Sequence, residues 1–224
     1  MNSWKTGSLS GISQHGKSDQ RSLPENIRRV PLTQIAHSIA EKYLTASSFA
    51  IDATLGNGHD TIFLANKISQ SGQVHGFDIQ SEAISLTSER LKEEELQDRA
   101  TLHHLGHHEM DKVLPASLIH NTAVIFFNLG YLPGGDKSFT TVLSSTLKAL
   151  QLSWNRYLSK DGLLSIMLYP GHSEGAVEAD GVIKWLHSLD NAHFYCVSSP
   201  GPILYLVNKS STRLKDLMAT MDIF

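Results

Sequence analysis

The sequence predicts an α/β fold: a doubly wound, mostly parallel sheet of seven strands, one of them antiparallel. Three observations carry that prediction. Short apolar runs alternate with stretches of helical periodicity along most of the chain, and such alternation packs as a parallel sheet with helices on both faces. The last two apolar runs, residues 193–197 and 203–207, are joined across Pro200-Gly201-Pro202 with no helix between them, so one must run antiparallel. The first run ends in an acid and a glycine turn, AIDATLGNGHDT, the punctuation of a strand that hands over to a helix.

Taken in order, residues 1–30 are polar, rich in Ser, Gly, Gln, Lys and Arg, and aperiodic. They read as a flexible, solvated tail in which Arg21, Arg28 and Arg29 are candidates for RNA contact. A single domain follows over residues 31–224. Leu32, Ile35, Ile39 and Tyr43 recur at helical spacing, with Pro31 placed at a first turn. Strands are expected at residues 49–53, 72–78, 100–104, 123–128 and 163–168, the last after a Lys-Asp-Gly turn. Helices are expected at 61–68, 81–96, 139–158 and 175–189, with a charged tail after residue 207.

Composition excludes several classes. The chain has 224 residues, 41% hydrophobic, enough for a sizeable core. A net charge of -3 argues against a surface that wraps duplex nucleic acid. One cysteine, Cys196, forms no internal disulfide and fits a reducing compartment. No run approaches a membrane span and no signal-peptide core is present. A cytoplasmic protein with no membrane partner is expected.

The glycine turn asks for a ligand. Gly56 and Gly58 allow positive φ and close backbone approach. No Gly-Lys-Ser or Gly-Lys-Thr follows, which disfavours a phosphate loop, and position 61 is Thr where a dinucleotide fingerprint needs a third glycine. Asp52 beside the turn disfavours a pyrophosphate and suits an ammonium. Asp78, ending the second predicted strand, can accept hydrogen bonds from ribose hydroxyls. An adenosine with a cationic tail and no phosphates has the shape of S-adenosylmethionine.

Five stretches sharpen this: DATLGNGHDT (52–61), GFDIQ (76–80), LGHHEM (105–110), NLGYLPGGDK (128–137) and YPGHSEG (169–175). In order and spacing, from about residue 30 to 207, they resemble a bacterial family long labelled putative rRNA methylases, some of whose members are assigned as tRNA 5-(aminomethyl)uridine methyltransferases. The resemblance implies a Rossmann-like class I methyltransferase fold and S-adenosyl-L-methionine as cofactor. It implies the wobble uridine of certain tRNAs as substrate, its aminomethyl group becoming methylaminomethyl. By motif match, Asn57, His59, Asp78 and Gln80 contact the donor. His107 and His108 lie beside its adenine or sulfonium end, and His107 stands where members often carry Ser. The partner implied is the anticodon region of tRNA; a homodimer is left open.

Direct displacement at a sulfonium needs a neutral amine with its lone pair aimed along the carbon–sulfur axis. Asn128, ending the fourth predicted strand, can accept a hydrogen bond from that amine and orient it. Tyr131, Asp136 and His172 complete the candidate set: Asp136 as holder of an ammonium, His172 as proton relay, Tyr131 or Tyr169 as a surface for a splayed base. His103, His104, His107 and His108 do not make a metal site, since neighbours on a strand point to opposite faces and methyl transfer needs no metal; no metal is expected. Two rivals stay open. One is a methyltransferase of the same fold acting on rRNA, a protein or a small molecule. The other is an RNA-binding module with a vestigial donor pocket. A nicotinamide oxidoreductase is disfavoured by Asp52 and Thr61.

Overall fold

The computed structural model describes residues 13–14, 30–69, 71–130, 140–199, 201–210 and 213–220. Each apolar run of the sequence is a strand within it. After a two-residue strand β1 (Ser13–Gln14) come β2 (Phe49–Asp52), β3 (Gln73–Asp78), β4 (Ala100–His104), β5 (Thr122–Leu129), β6 (Leu158–Leu168), β7 (His193–Ser198) and β8 (Ile203–Asn208). They form one sheet in the order β1-β7-β8-β6-β5-β2-β3-β4. β2 through β6 pair in parallel, and β8 lies antiparallel between β6 and β7. The seven-stranded, mostly parallel sheet with one reversed strand is therefore present in β2 to β8, and β1 adds an eighth strand antiparallel to β7. The chain runs outward from β2 to β4, then crosses back to β5 on the other side of β2. That reversal leaves a crevice at the carboxyl ends of β2 and β5, where doubly wound sheets bind ligands.

Helices cover both faces: α1 (Leu32–Glu41), α2 (His59–Lys67), α3 (Ser81–Glu93), α4 (Leu143–Leu152), α5 (Ser173–His187) and α6 (Arg213–Thr220). Strand periodicity of two sorts β5 between two cores. Val124 and Phe126 face a cluster with Ile35, Ile39, Leu64 and Leu214. Ile125 and Phe127 face another with Met110, Leu150, Trp154 and Trp185. Leu32, Ile35, Ala36, Ile39 and Ala40 supply the buried stripe of α1, the 3.6-residue pattern visible in the sequence.

Four local features differ from expectation. The Lys-Asp-Gly segment is no turn but part of β6: pairing jumps from Thr122↔Leu158 to Val124↔Leu163, so the strand bulges there. The helix expected over 139–158 starts at Leu143 and closes with a π-helical turn, Ser153–Tyr157. Residues 140–142, Thr-Thr-Val, lead into it without helical structure. The charged tail contains α6, which docks because Leu214 and Met218 are buried. Within the tail expected over residues 1–30, Ser13 and Gln14 pair with Cys196 and Tyr195 on the outer edge of β7, an edge whose backbone groups otherwise lack partners. The rest of that tail up to residue 29 lies outside the described residues. Among the described residues no helix is long and apolar enough to cross a membrane.

Candidate active site

The crevice opens into a cavity of about 1280 Å³, lined from the glycine turn, the ends of β3 and β5, and the start of α5. Ligand pockets typically span roughly 300–1000 Å³, so the space lies just above the usual range.

At its centre the turn Leu55 to Gly58 hands β2 over to α2. Gly56 and Gly58 are left-handed, with φ of 50° and 77°, conformations that favour glycine. Asp78 braces the turn from β3: its Oδ2 accepts the Gly56 N–H at 2.9 Å and its Oδ1 the Gln80 N–H at 2.9 Å. Each oxygen keeps a second lone pair, and Asp78 lines the cavity. From α3, Arg90 donates to the carbonyl of Asn57 and lies 3.4 Å from His59 Nδ1. Gly56, Asn57, His59 and Gln80 all line the cavity.

Two residues expected on this wall stand behind it. Asp52 is fully buried; it accepts the Thr61 hydroxyl at 2.7 Å and the Thr54 N–H at 3.2 Å. It braces strand to helix and is not placed to meet a ligand's ammonium. Its carboxyl is held well above the usual range, by burial first and then by the negative charge of Asp60. Gly58 is a packing glycine: a Cβ there would fall 2.4 Å from Thr87 Oγ1.

At the β3–β4 end stand His107 and His108. His107 Nδ1 lies 3.2 Å from the carbonyl of Ala53. A carbonyl only accepts, so Nδ1 carries the proton and Nε2 presents a lone pair. That Nε2 is buried with no protein partner, and a buried acceptor of this kind calls for a donor. Burial lowers the imidazole to about 4, so it stays neutral. His108 stands edge-on to His107, and Gly106 makes room for it: a Cβ there would come within 2.7 Å of His108 Cε1. The other two histidines of the cluster turn away from each other. His103 bonds His75 at 3.0 Å and stacks on Phe77, while His104 lies 2.9 Å from the Ile79 carbonyl. Among the described residues no three His, Cys, Asp or Glu side chains form a group that could hold a metal.

At the β5–β6 end Asn128 is fixed twice. Its backbone N–H donates to Thr54 Oγ1 at 2.7 Å, and its side-chain Nδ2 to Asp60 Oδ2 at 2.6 Å. The amide oxygen of Asn128 is thereby left as its acceptor. Asp60 Oδ1 lies 2.6 Å from His37 Nε2, and the His37 ring stacks on Phe63 with centroids 3.9 Å apart. Tyr169 and Glu174 share this wall; burial, then the charge of Asp60, raises the Tyr169 phenol. His172 lines the cavity but also caps α5, its Nδ1 accepting the Gly175 N–H at 3.1 Å. Behind the wall, buried Glu178 accepts the hydroxyls of Thr141 and Thr146, each at 2.6 Å, and holds Thr141 against the cavity. Tyr131 and Asp136 lie outside the described residues.

Sequence reasoning missed His37, Thr54 and the role of Asp60. The motif printed Asp60 and Thr54 in plain view; His37 sits in a helix read for its apolar stripe alone. No lysine or arginine appears among the described residues lining the cavity, whereas Asp60, Asp78 and Glu174 do. Such a space receives cations better than phosphates.

The sheet order, the glycine turn and the acid after β3 define a Rossmann-like class I methyltransferase fold. Residues 74–201 match the family model described as Putative rRNA methylase, and the chain belongs to that family. It is similar to a solved putative rRNA-methylase from Clostridium thermocellum: 33% identity, TM-score 0.75, covering 80% of this chain and 97% of that one. It is also similar to a putative methyltransferase from Streptococcus mutans, solved in complex with SAH: 30% identity, TM-score 0.69, covering 80% and 97%. Among sequences, it is 33% identical over 176 residues to the chloroplastic tRNA (mnm(5)s(2)U34)-methyltransferase of Arabidopsis thaliana, 75% of this chain. The chain spans 63% of that protein's length.

Proposed function

We propose that this protein is an S-adenosylmethionine-dependent methyltransferase acting on tRNA, and that residues 31–224 form its catalytic domain. It methylates the amine of 5-aminomethyluridine at the wobble position, giving 5-methylaminomethyluridine. The observation that carries the reading is the charge and shape of the cavity. Asp78 and His107 line the cavity beside the glycine turn and Asn128 and Asp60 line it at the β5 end, with no lysine or arginine among the described lining residues.

The donor fits these residues. Asp78 accepts ribose hydroxyls with its remaining lone pairs, and His107 lies beside the nucleoside on the same wall. Gly56, Asn57, His59 and Gln80 supply the close-approach wall, and His108 flanks His107. When bound, the donor supplies an electrophilic methyl group on a sulfonium. Asn128 orients the acceptor amine through its amide oxygen, a contribution of positioning. Tyr169 offers a ring for a splayed base, and His172 and Glu174 border the same end. Tyr131 and Asp136 join the site by motif. The Arabidopsis relative carries a tRNA wobble-uridine methyltransferase name, which agrees with this substrate.

Nucleoside mass spectrometry of bulk tRNA tests the reading. A strain lacking this gene should accumulate 5-aminomethyluridine, or its thiolated form, and lose the methylated product. An unchanged tRNA profile together with a missing methyl mark in rRNA would reassign the substrate.

A further inference from the structure

We propose that Asp60, oriented by His37, receives the acceptor ammonium and takes its proton. This deepens the reading above and rests on it. Asp60 lies at the junction of three elements: His37 reaches it from α1 and Asn128 from β5, each at 2.6 Å and each on a different carboxylate oxygen. A carboxylate offers about four lone-pair sites, so one remains on each oxygen for a further donor. The side chain is 12% exposed, and Asp60 is part of the cavity wall. Because Asn128 donates through Nδ2 to Asp60, its amide oxygen is left as an acceptor on a residue that lines the same cavity as the carboxylate. Two acceptor residues joined in one cavity wall match an ammonium, which carries three donors.

A carboxylate in the first turn of α2 has a structural use of its own, since it complements the helix dipole. That use does not account for His37, brought from 23 positions earlier and stacked on Phe63 so that its ring nitrogen meets Oδ1. The titratable groups facing Asp60 are His37 from α1, Asp52 from β2 and Tyr169 after β6; His172, Glu174 and Asp78 border the same cavity.

The chemistry balances simply. One N–H bond of the ammonium breaks, its electron pair stays on nitrogen, and the proton forms an O–H bond on Asp60. The amine is then neutral and holds the lone pair that methyl transfer consumes. His37 touches neither the amine nor the methyl group; it is a positioning residue that fixes the plane of the carboxylate.

The test compares wild type, D60N, H37A and H37Q on tRNA bearing 5-aminomethyluridine between pH 6.5 and 9.5, with S-adenosylhomocysteine binding by calorimetry alongside. D60N should bind S-adenosylhomocysteine within about threefold of wild type. Its kcat/KM near pH 7 should fall by about 100-fold or more, the scale of a lost proton acceptor. That deficit should shrink about tenfold per pH unit as the substrate itself becomes neutral, approaching the alkylamine range near ~10. H37A should show a smaller deficit of the same pH dependence, mainly in kcat, and H37Q, which keeps an N–H donor, should recover most of it. A deficit that does not vary with pH in D60N and H37A overturns the assignment. So does lost S-adenosylhomocysteine affinity in a folded D60N, which would place Asp60 on the donor's own ammonium. Should D60N not fold, H37A with the wild-type pH profile overturns it alone. A wild type that methylates unmodified tRNA equally well overturns the proposed function, and Asp60's role with it; a discriminating wild type with a fully active D60N overturns only Asp60.

Discussion

Asp78 Oδ2 accepts the backbone N–H of Gly56 at 2.9 Å, joining the end of β3 to the glycine turn after β2. The acid proposed to hold the ribose therefore also sets the shape of the glycine turn. Its other oxygen accepts the Gln80 N–H, so a single carboxylate braces both segments of this cavity wall.

Asp78→Ala should cut affinity for S-adenosylhomocysteine about tenfold or more, since a charge-assisted hydrogen bond contributes roughly 1.5–3 kcal/mol. Asp78→Asn keeps an oxygen for the turn but not the charge, and should fall between. Calorimetry on the three proteins checks the order. Wild-type affinity in the alanine variant would place the ribose elsewhere.

The two glycines should separate by phenotype. Gly56→Val puts a branched side chain on the cavity wall at a φ of 50°, and donor binding should be lost with the fold retained. Gly58→Ala combines a φ of 77° with a contact of 2.4 Å to Thr87 Oγ1. It should lower stability by about 1–3 kcal/mol, the usual cost of a non-glycine residue held in such a conformation. Thermal melts and calorimetry on both variants report the split; unchanged donor affinity in a folded Gly56→Val, or lost donor affinity in a folded Gly58→Ala, would refute it.

Stability should fall in mild acid. His75 and His107 are each lowered to about 4, by burial first, from an ordinary value of 6.5. Between those values the unfolded chain binds protons that the folded chain refuses, so the stabilisation present above pH 6.5 is lost as pH drops toward 4. Denaturant midpoints measured from pH 7.5 to 4.5 should decline less steeply in His75→Gln than in wild type. Parallel slopes would contradict the buried neutral imidazole.

Asp52 should act in the opposite sense. Its carboxyl is pushed up to about 7 from 3.8, by burial first. The folded state thus favours the protonated acid, and the stabilisation present below pH 4 is lost as pH rises through about 7. The difference in unfolding free energy between wild type and Asp52→Asn should therefore move against wild type from pH 5 to pH 8. A constant difference would show that Asp52 does not titrate in that window.

Much of this was legible in the sequence because strand and helix periods differ and the glycine turn is local. Seven apolar runs became seven strands, and Pro200-Gly201-Pro202 was enough to anticipate the reversed β8. Residues 56, 57, 59, 78, 80, 107, 108, 128 and 172 converge on one cavity because each lies at or just beyond the end of a strand at the same edge of the sheet. What stayed hidden depends on contacts between distant segments. Asp52 reads as a ligand-facing acid until Thr61, nine positions on, is seen to bury it. His37 reads as one polar position on an amphipathic helix until Asp60 meets it. The bulge in β6 and the docking of α6 depend on neighbours that local pattern does not name: Gly162 lies where a Cβ would come 2.8 Å from the Thr122 carbonyl, and Leu214 and Met218 are buried by partners far away in the chain.

The most direct measurement is transfer of labelled methyl from S-adenosylmethionine to two preparations of one tRNA, with and without 5-aminomethyluridine at the wobble position. A site built to orient an amine between Asn128 and Asp60 should methylate only the first, yielding 5-methylaminomethyluridine on digestion. Asn128→Ala should lose turnover far more than donor affinity. Equal labelling of both preparations, or of naked rRNA at a matching rate, would contradict the account.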